Sequence, residues 1–375
     1  MRNNSSQSLS VLNTGIKTVR NVLRYTIGPG CLRDLNGILS AKRSQPDDFA
    51  VIFIDEYFQV KADVLQEIQV QPIDLTVFVS TNEEPTTEYV DNLVHNLRSQ
   101  RSRKPCAIVG MGGGITMDVA KAVSNLLTNP GKAEDYQGWD LVKNTGIYKI
   151  AVPTVSGTGA EATRTCVLTN KRRKLKLGMN SDFTVYDQIV MDPKLTATVP
   201  RNQYFYSGMD AYIHCIESTA GGYRNAIGDA YSRETINLCR QIFLEGDMMS
   251  PENRERMMVA SYLGGCAIAT SYVGLVHPFS AGLSVVLGLH HCVGNCIALN
   301  AMEEFYPEEV NEFRRMATKQ GVTVPSKICQ DLDGHQVEDL FAATIIHEKP
   351  LTNALGEKYK KILTPEKVAE IFRRM

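Results

Sequence analysis

The chain has 375 residues, of which 40 are basic and 41 are acidic. This length fits two domains, each able to bury a sizeable apolar core. The balanced charge gives no indication of nucleic acid as the main partner, because nucleic-acid-binding domains usually carry a basic excess.

Nine cysteines are scattered along the chain without a CxxC spacing, which is typical of reduced thiols in a cytoplasmic protein. The first eight residues are polar and lack the apolar core of an export signal. The sequence therefore predicts a cytoplasmic protein without disulfides and without a membrane anchor.

Four short apolar runs predict a parallel sheet in the first half of the chain. They are Ala50–Ile54, Thr76–Ser80, Lys104–Gly110 and Tyr148–Val152. The intervals between them suit crossover helices, and Tyr89, Leu93 and Leu97 recur at helical spacing between the second run and the third. Continuous apolar runs of this length are typical of strands that are buried on both faces.

A glycine-rich segment follows the third run and opens into a predicted helix. Gly112, Gly113 and Gly114 would leave bare backbone N–H groups at the helix N-terminus, which suits a pyrophosphate. The segment does not spell G-x-G-x-x-G, so a plain turn is the alternative. Asp55 directly follows the first run and favours NAD over NADP, since a carboxylate bonds a ribose and repels a 2′-phosphate. A solvated strand exit is the alternative.

A second loop, Pro153–Glu161, begins where the fourth run ends. It combines hydroxyl residues with Gly157 and Gly159 at the edge of the sheet where open α/β folds bind ligands. We expect it to contact phosphate or nicotinamide, a plain turn again being the alternative.

After about residue 195 the pattern is helical. Tyr204–Thr219 and Ala226–Phe243 are predicted helices, and a last helix should begin at Thr364, with Pro365 in the first helical position. We therefore expect an α/β domain over residues 1–192 and an all-helical domain over residues 193–375.

Four residues of the helical half are candidate metal ligands: Asp210, His214, His277 and His291. Asp210 and His214 are four apart and share one helical face, although a helix-terminal carboxylate and a core histidine are the alternative. The other two lie with His290 in residues 257–302, where no Asp, Glu, Lys or Arg occurs and buried imidazoles need partners. One carboxylate and three imidazoles suit a divalent ion that polarises an oxygen-bearing substrate.

The uncharged stretch from residue 257 to residue 302 also raises the question of a membrane span. Glycines, a proline and several hydroxyl residues interrupt it, and no window of about eighteen residues is cleanly apolar. We expect buried helices rather than a membrane segment.

Taken together, the motifs resemble those of the iron-containing, or group III metal-dependent, alcohol dehydrogenases. The resemblance spans nearly the whole chain and rests on Gly112-Gly-Gly followed by Asp118, Pro153–Glu161, Asp192-Pro, Leu195–Pro200 and Gly208–Glu217. It implies a dehydroquinate synthase-like fold, in which a dinucleotide-binding domain with a parallel sheet precedes an all-helical metal-binding domain. It also implies NAD as a cofactor and catalytic Fe(II) or Zn(II) in the cleft between the domains.

The resemblance assigns the site residues as well. Its metal ligands fall on Asp210, His214, His277 and His291. Its cofactor contacts fall on Asp55 at the ribose, on Gly112, Gly113, Gly114, Thr116 and Asp118 around the pyrophosphate segment, and on Thr154, Val155 and Lys176 at the nicotinamide side.

Three positions depart from the family pattern. Family members commonly have histidine, glycine and asparagine where this chain has Ala281, Cys292 and Glu84. A proton relay or substrate contact is therefore missing at Ala281. His290 is a candidate replacement, and a structural role for its ring is the alternative.

The predicted activity is oxidation of a hydroxyl group to a carbonyl, with hydride transfer to NAD. The chain resembles most the branch that oxidises the terminal hydroxyl of the sugar acid 3-deoxy-manno-octulosonate to an aldehyde. Such a substrate needs a cation for its carboxylate, and Arg164 is a candidate, with a surface ion pair as the alternative. The expected partners are a small-molecule alcohol or sugar acid and a second copy of the chain in a homodimer.

Three other functions stay open. A dehydroquinate synthase-like lyase would use the same metal and NAD for elimination and ring closure. An oxidase, or an enzyme with tightly held NAD, would release no free NADH. A non-catalytic sensor would bind metal and dinucleotide without turnover.

Overall fold

The computed structural model of the protein describes Ile16 and residues 18–375, so the polar start of the chain and the prediction made for it lie outside the described residues. The nine strands are β1 (Arg24–Ile27), β2 (Ala50–Asp55), β3 (Leu75–Val79), β4 (Ala107–Gly112), β5 (Gly138–Trp139), β6 (Lys149–Pro153), β7 (Thr165–Asn170), β8 (Leu175–Asn180) and β9 (Gln188–Met191) among the described residues.

Fourteen α-helices are present in the same part of the chain. They are α1 (Asp34–Ser40), α2 (Ala62–Ile68), α3 (Thr87–Gln100), α4 (Gly114–Leu126), α5 (Arg201–Ala220), α6 (Ala226–Arg240), α7 (Pro251–Ser271), α8 (Val276–Leu287), α9 (His291–Asn300), α10 (Pro307–Gln320), α11 (Gly334–Ile345), α12 (Glu348–Leu355), α13 (Tyr359–Ile362) and α14 (Pro365–Arg373).

The main sheet has six parallel strands in the order β1-β9-β6-β4-β2-β3. All four predicted strands are confirmed, with bounds that differ by at most three residues from the apolar runs. Alternate residues of β2 enter different cores: Val51 and Phe53 pack on the side of α3 and α4, whereas Ile52 and Ile54 pack on the side of α1 and α2. Helices thus cover both faces of the sheet, as its apolar strands require.

A second, three-stranded sheet has the order β5-β8-β7, with β7 and β8 antiparallel. The sequence analysis does not anticipate it. Residues of β7 alternate between buried and half-buried positions, so the run is only half apolar and gives a weaker signal than the buried strands.

The helical part is built around α5, which is buried from Tyr204 to Ser218 and packs against α6, α7 and α9. The predicted helices are confirmed, although the second ends its regular α-helical part at Arg240 and continues as a π-helical turn to Glu245. Thr364 caps α14 as expected, because its hydroxyl accepts a hydrogen bond from the Lys367 N–H at 3.3 Å.

The second glycine loop joins the two parts of the molecule. Gly159 has φ +61° and lies so close to Gly265 in α7 that a Cβ would be 2.6 Å from the Gly265 Cα. Gly157 has φ +144°, and a Cβ there would lie 1.6 Å from the carbonyl oxygen of Ser207 in α5. Only glycine allows this backbone conformation and this approach, so the loop is held directly against the helices that carry the site.

All nine cysteines are free thiols, as predicted. In the described part of the chain no single helix is long and apolar enough to cross a membrane. Helices α7 and α8 satisfy the length and composition test only as a pair, and they are bent by 105° at the break between them.

Candidate metal centre and active-site cleft

Three helices carry the four predicted metal ligands, and the structure brings these residues together. Asp210 and His214 lie one turn apart in α5, His277 is in the first turn of α8, and His291 begins α9. The Glu84 carboxylate, from the segment before α3, accepts a hydrogen bond from the His291 backbone N–H at 2.8 Å. The α/β part therefore helps to position the end of α9.

The Asp210 carboxylate lies at the centre of the cluster. One of its oxygens is 3.5 Å from His214 Nε2 and 3.4 Å from His277 Nε2, and the other is 3.5 Å from His291 Nε2. Ligands held about 2.1 Å from a tetrahedral ion lie about 3.4 Å apart. The separations within the cluster therefore match those of a first-row divalent metal site.

The proton arrangement of His277 also favours a cation. Glu217 accepts a hydrogen bond from His277 Nδ1, and this bond turns the lone pair of the neutral ring's Nε2 toward Asp210. A lone pair and a carboxylate facing each other repel unless a proton or a metal ion lies between them, so a metal that binds here takes the place of a proton. The cluster thus fits a divalent ion, and Glu217 is the partner that selects the tautomer of His277.

Asn295 completes the surroundings of the cluster. Its amide nitrogen donates to Asp210 at 2.7 Å and lies 3.3 Å from His277 Nε2 and 3.2 Å from His291 Nε2. The sequence analysis missed Asn295, although its position four residues after His291 on the same helix was a usable signal. The same analysis quoted Glu217 only as part of a motif, seven residues after Asp210.

The electrostatics of the four side chains are strongly coupled. Burial lowers the pKa of His214 and of His291 to about 4 in each case, against the opposing charge of Asp210. Burial also acts on His277, but Glu217 and Asp210 raise its pKa to about 9. Burial opposes ionisation of Asp210 too, yet the imidazoles hold the pKa of this carboxyl well below its usual range. Near neutral pH the site therefore keeps the Asp210 carboxylate ionised beside the neutral imidazoles of His214 and His291, while His277 holds a proton that a bound metal would displace.

A cleft of about 540 Å³ leads to this cluster and is lined by both parts of the chain. Strands β2, β4 and β6 are parallel, so their carboxyl ends meet at one edge of the sheet, where Gly112 pairs with Pro153. The two glycine loops start at this edge. Both predicted glycine loops therefore reach the cleft.

Most of the predicted cofactor residues line the cleft: Asp55, Gly113, Gly114, Asp118, Thr154, Val155 and Lys176. Gly113 and Gly114 begin α4 without a side-chain cap, so the first N–H groups of this helix are open to a ligand. Lys176 bonds Ser284 at 3.1 Å and Glu84 at 3.1 Å. It thereby ties β8 to α8 and to the residue that positions His291.

Gly112 and Thr116 do not line the cleft, in contrast to the sequence-based assignment. The Gly112 carbonyl accepts the Thr154 N–H at 3.1 Å, and the Thr116 side chain is completely buried. Thr116 is the third residue of α4, in its first turn, on the face that packs against Gly112. Periodicity does not reveal which side of a short turn faces a ligand.

The two carboxyl groups among the cofactor residues differ in their surroundings. Asp55 accepts the Tyr57 N–H at 3.0 Å, and burial raises the pKa of its carboxyl. Burial likewise raises the pKa of Asp118 to about 6, although Lys121 and a bond from the Val167 N–H lower it. Both carboxylates therefore accept a backbone N–H and line the cleft, and they differ in the charge of Lys121, which acts on Asp118.

The three departures from the family pattern lie around the same cavity. Ala281 lines the cleft and presents only a methyl group, while His290 is exposed at the start of α9 and also borders the cleft. The Cys292 thiol lies 3.7 Å from an Asp210 oxygen. The chain thus has a thiol next to the cluster where relatives commonly have glycine.

Sequence reasoning missed the wall of the cleft formed by Trp139, Tyr272 and His347. Tyr272 has φ +64° and ψ 165°, a backbone region that side-chain-bearing residues rarely adopt, and its ring meets Trp139 edge-on at 4.9 Å. The buried Asn353 side chain holds this conformation by donating to the Val273 carbonyl at 3.0 Å and accepting the Tyr223 N–H at 2.8 Å. Strain retained in this way is common at ligand sites.

Arg164 also lines the cleft, but its charge is already paired. It forms an ion pair with Asp140, and its Nε lies 3.2 Å from Asp182. The alternative that the sequence left open, an ion pair, is therefore observed.

Comparison with known proteins agrees with this arrangement. The family model described as iron-containing alcohol dehydrogenase matches residues 23–193, and the model of the C-terminal part of the same family matches residues 204–358. The chain is 30% identical over 223 residues to the sulfoacetaldehyde reductase of Bilophila wadsworthia, covering 58% of this chain and 56% of the relative. It is 28% identical over 255 residues to the NAD-dependent methanol dehydrogenase of Bacillus methanolicus, covering 66% of each.

Solved structures with the same fold cover almost the whole chain. A 1,3-propanediol oxidoreductase superposes with a TM-score of 0.80 at 21% identity, covering 95% of this chain and 98% of the other. An iron-containing alcohol dehydrogenase from Thermotoga maritima superposes with a TM-score of 0.78 at 23% identity, with the same coverage. The predicted fold class is confirmed: a parallel-sheet α/β part is followed by a helical part. The chain belongs to the iron-containing alcohol dehydrogenase family.

Proposed function

We propose that the protein is an oxidoreductase acting on CH–OH groups, with NAD and a divalent metal, Fe(II) or Zn(II), as cofactors. The observation that carries the proposal is the convergence of one buried carboxylate and three imidazoles inside a cleft bordered by two strand-end glycine loops. When bound, the metal supplies Lewis acidity that eases loss of a proton from a substrate hydroxyl, and NAD supplies the hydride acceptor.

The residues of the chain have distinct parts in this proposal. Asp210, His214, His277 and His291 would hold the metal, because nitrogen and carboxylate donors suit Fe(II) and Zn(II) better than Mg(II). Glu217 orients His277, and the open N-terminus of α4 would receive the pyrophosphate of the dinucleotide. Asp55 on the cleft wall favours NAD, since it would repel a 2′-phosphate.

We place the boundary between the dinucleotide-binding domain and the metal-binding domain at residues 192 and 193. Strand β9 ends at Met191, and the long helix α5 begins at Arg201. The segment between these elements holds one short 3₁₀ turn, Pro193–Thr196. A fragment ending near this segment should bind dinucleotide but no metal.

For the substrate we propose an acidic hydroxy compound, with the sugar acid 3-deoxy-manno-octulosonate as the specific candidate. Arg164 on the cleft wall supports this choice, since a substrate carboxylate can compete with Asp140, whose side chain is 62% exposed. The similar enzyme of Bilophila wadsworthia acts, by its name, on sulfoacetaldehyde, an acidic aldehyde. A wild-type preference for neutral alcohols over hydroxy acids would contradict this part of the proposal.

The alternative of a lyase acting on a phosphorylated substrate has little support in the cleft. Within the described residues its wall has two strongly basic side chains, Lys176 and Arg164. Each is already ion-paired, with Glu84 and with Asp140 and Asp182 respectively. A phosphorylated substrate would need several cations that converge on it, and of these two only Arg164 has a mostly exposed partner, Asp140, with which a ligand can compete.

We also propose a homodimer located in the cytoplasm, without nucleic acid or membrane as a partner. The nine free thiols and the balanced charge support the location and the absence of nucleic acid. Light scattering of the purified protein tests the oligomeric state, and cell fractionation tests the location.

The decisive experiment is metal analysis of the purified protein, followed by an NADH-coupled screen of sugar acids, polyols and simple alcohols. We expect about one divalent ion per chain and NADH production with a hydroxy substrate. Asp210→Ala and His277→Ala should lose both metal and activity, whereas His335→Ala should lose neither, because the His335 side chain is 97% exposed. Binding of metal and NAD without turnover of any substrate would favour the sensor, and product formation without net NADH would favour the lyase or a tightly held cofactor.

A further inference from the structure

The proposed reaction gives no function to one buried polar atom of the cleft wall, His347 Nε2. Two imidazoles that line the cleft have a buried ring nitrogen with no hydrogen-bond partner in the described structure, His214 Nδ1 and His347 Nε2. His214 already belongs to the metal cluster. A buried, unpaired nitrogen on a cavity wall needs a partner, and for His347 the cavity is the available source.

Backbone contacts fix the position of His347 at the start of α12. It caps the start of α12, directly after α11, and its backbone carbonyl accepts the Leu351 N–H at 3.0 Å. Asn353 in the same helix anchors α12 to the chain around Tyr272. The backbone at His347 is therefore held in place before any ligand binds, which suits a residue that recognises a ligand.

His347 lines the same cavity as His277 and Lys176. Burial lowers the pKa of its ring to about 4, and the charges of His277 and Lys176 act in the same direction. The ring is thus neutral near pH 7, and Nε2 can donate or accept a hydrogen bond according to its tautomer. Ala281, on α8 one turn after His277, contributes no polar atom to the same cavity.

We propose that His347 Nε2 hydrogen-bonds a second hydroxyl of the substrate, on the carbon next to the reacting one. The inference rests on the proposed function, and it makes His347 a residue that selects vicinal diols and polyols over simple alcohols. A substrate that lacks the second hydroxyl leaves the buried nitrogen unpaired, and such a mismatch is penalised more than a lost apolar contact.

The kinetic test compares 1,2-propanediol with 1-propanol, which differ by one hydroxyl group. In the wild type we expect the higher kcat/KM with the diol. His347→Leu should lower kcat/KM for the diol about tenfold, as expected for one buried hydrogen bond, and change that for 1-propanol by less than about twofold. His347→Gln, which keeps a polar group at this position, should recover part of the preference, and His335→Ala should keep all of it.

A binding test is independent of turnover. The single tryptophan of the chain, Trp139, lines the same cleft, so its fluorescence reports occupancy of that wall. We expect 1,2-propanediol to bind wild type about tenfold more tightly than His347→Leu, with equal NADH affinity for both proteins.

The outcomes separate this inference from the proposed function. Equal losses for both alcohols, an unchanged diol preference or weaker NADH binding in His347→Leu would each overturn the role given to His347. If wild type oxidises no alcohol, the proposed activity fails, while the fluorescence titration still decides whether His347 binds the diol. Absence of diol binding to wild type would overturn the inference as well.

Discussion

Replacement of Glu217 tests whether its hydrogen bond to His277 sets the tautomer that the metal cluster needs. Its carboxylate accepts two hydrogen bonds, one from the Val276 backbone N–H and one from His277 Nδ1. A glutamine at this position has one carbonyl oxygen to accept with and an NH₂ group that can only donate. Glu217→Gln therefore leaves one of the two donors without its acceptor.

The two donors, the Val276 N–H and His277 Nδ1, respond differently to the loss of an acceptor. The Val276 N–H is fixed by the backbone, whereas the imidazole of His277 can move its proton to Nε2 and accept from the new amide at Nδ1. That exchange turns an N–H toward Asp210, which lies 3.4 Å from His277 Nε2, and removes the lone pair that a metal needs. We expect zinc affinity to fall by roughly 10- to 100-fold, or about 1.4–2.7 kcal/mol.

The assay is competition for Zn(II) with a chromophoric chelator, on wild type, Glu217→Gln and Glu338→Gln. Glu338 is a matched control because its side chain is 82% exposed. The thermal midpoint of the metal-free proteins should differ little, since the glutamine oxygen can keep the bond to Val276. Equal zinc affinity of Glu217→Gln and wild type would refute the tautomer argument.

Three further predictions concern stability, each measured by urea unfolding of the metal-free protein. Gly157→Ala places a Cβ 1.6 Å from the Ser207 carbonyl oxygen at φ +144°, so we expect a loss of about 3 kcal/mol or more. Gly37→Ala, which has no atom within 4 Å of the new Cβ, should cost nothing, and similar effects of the two changes would contradict the packing argument. Asn353→Leu removes the acceptor and the donor that hold the backbone around the strained tyrosine, and we expect a loss of about 2–4 kcal/mol, so a loss below about 1 kcal/mol would mean that other contacts hold this turn. Burial raises the pKa of Asp118 to about 6, above the value for an unfolded chain, so the folded state binds the proton more tightly and this group makes stability fall as pH rises from about 4 to 6. Asp118→Asn should flatten that slope, gaining on the order of 3 kcal/mol relative to wild type between pH 4 and pH 7, and parallel pH profiles of the two proteins would refute the assignment.

The sequence by itself determined the elements and the chemistry that each element carries. Buried parallel strands are continuous apolar runs, so β2, β3, β4 and β6 could be located from hydrophobicity alone. Asp210 and His214 share a helical face because they are four residues apart, and the glycine loops follow strand ends. These signals are local. The uncharged surroundings of His277 and His291 made these two residues candidates for the same site, and the family resemblance then fell on the same four ligands.

Only the tertiary structure decided which elements meet at the cleft. His347 lies 70 residues after His277 along the chain and reaches the cavity because α12 is anchored on the loop after α7. Arg164 is paired because the segment around Asp140 and the turn at Asp182 both approach it. Thr116 is buried rather than exposed to the cleft, since its face of α4 packs against Gly112. A periodic pattern specifies one face of one element, whereas contacts between distant elements depend on how their side chains pack together.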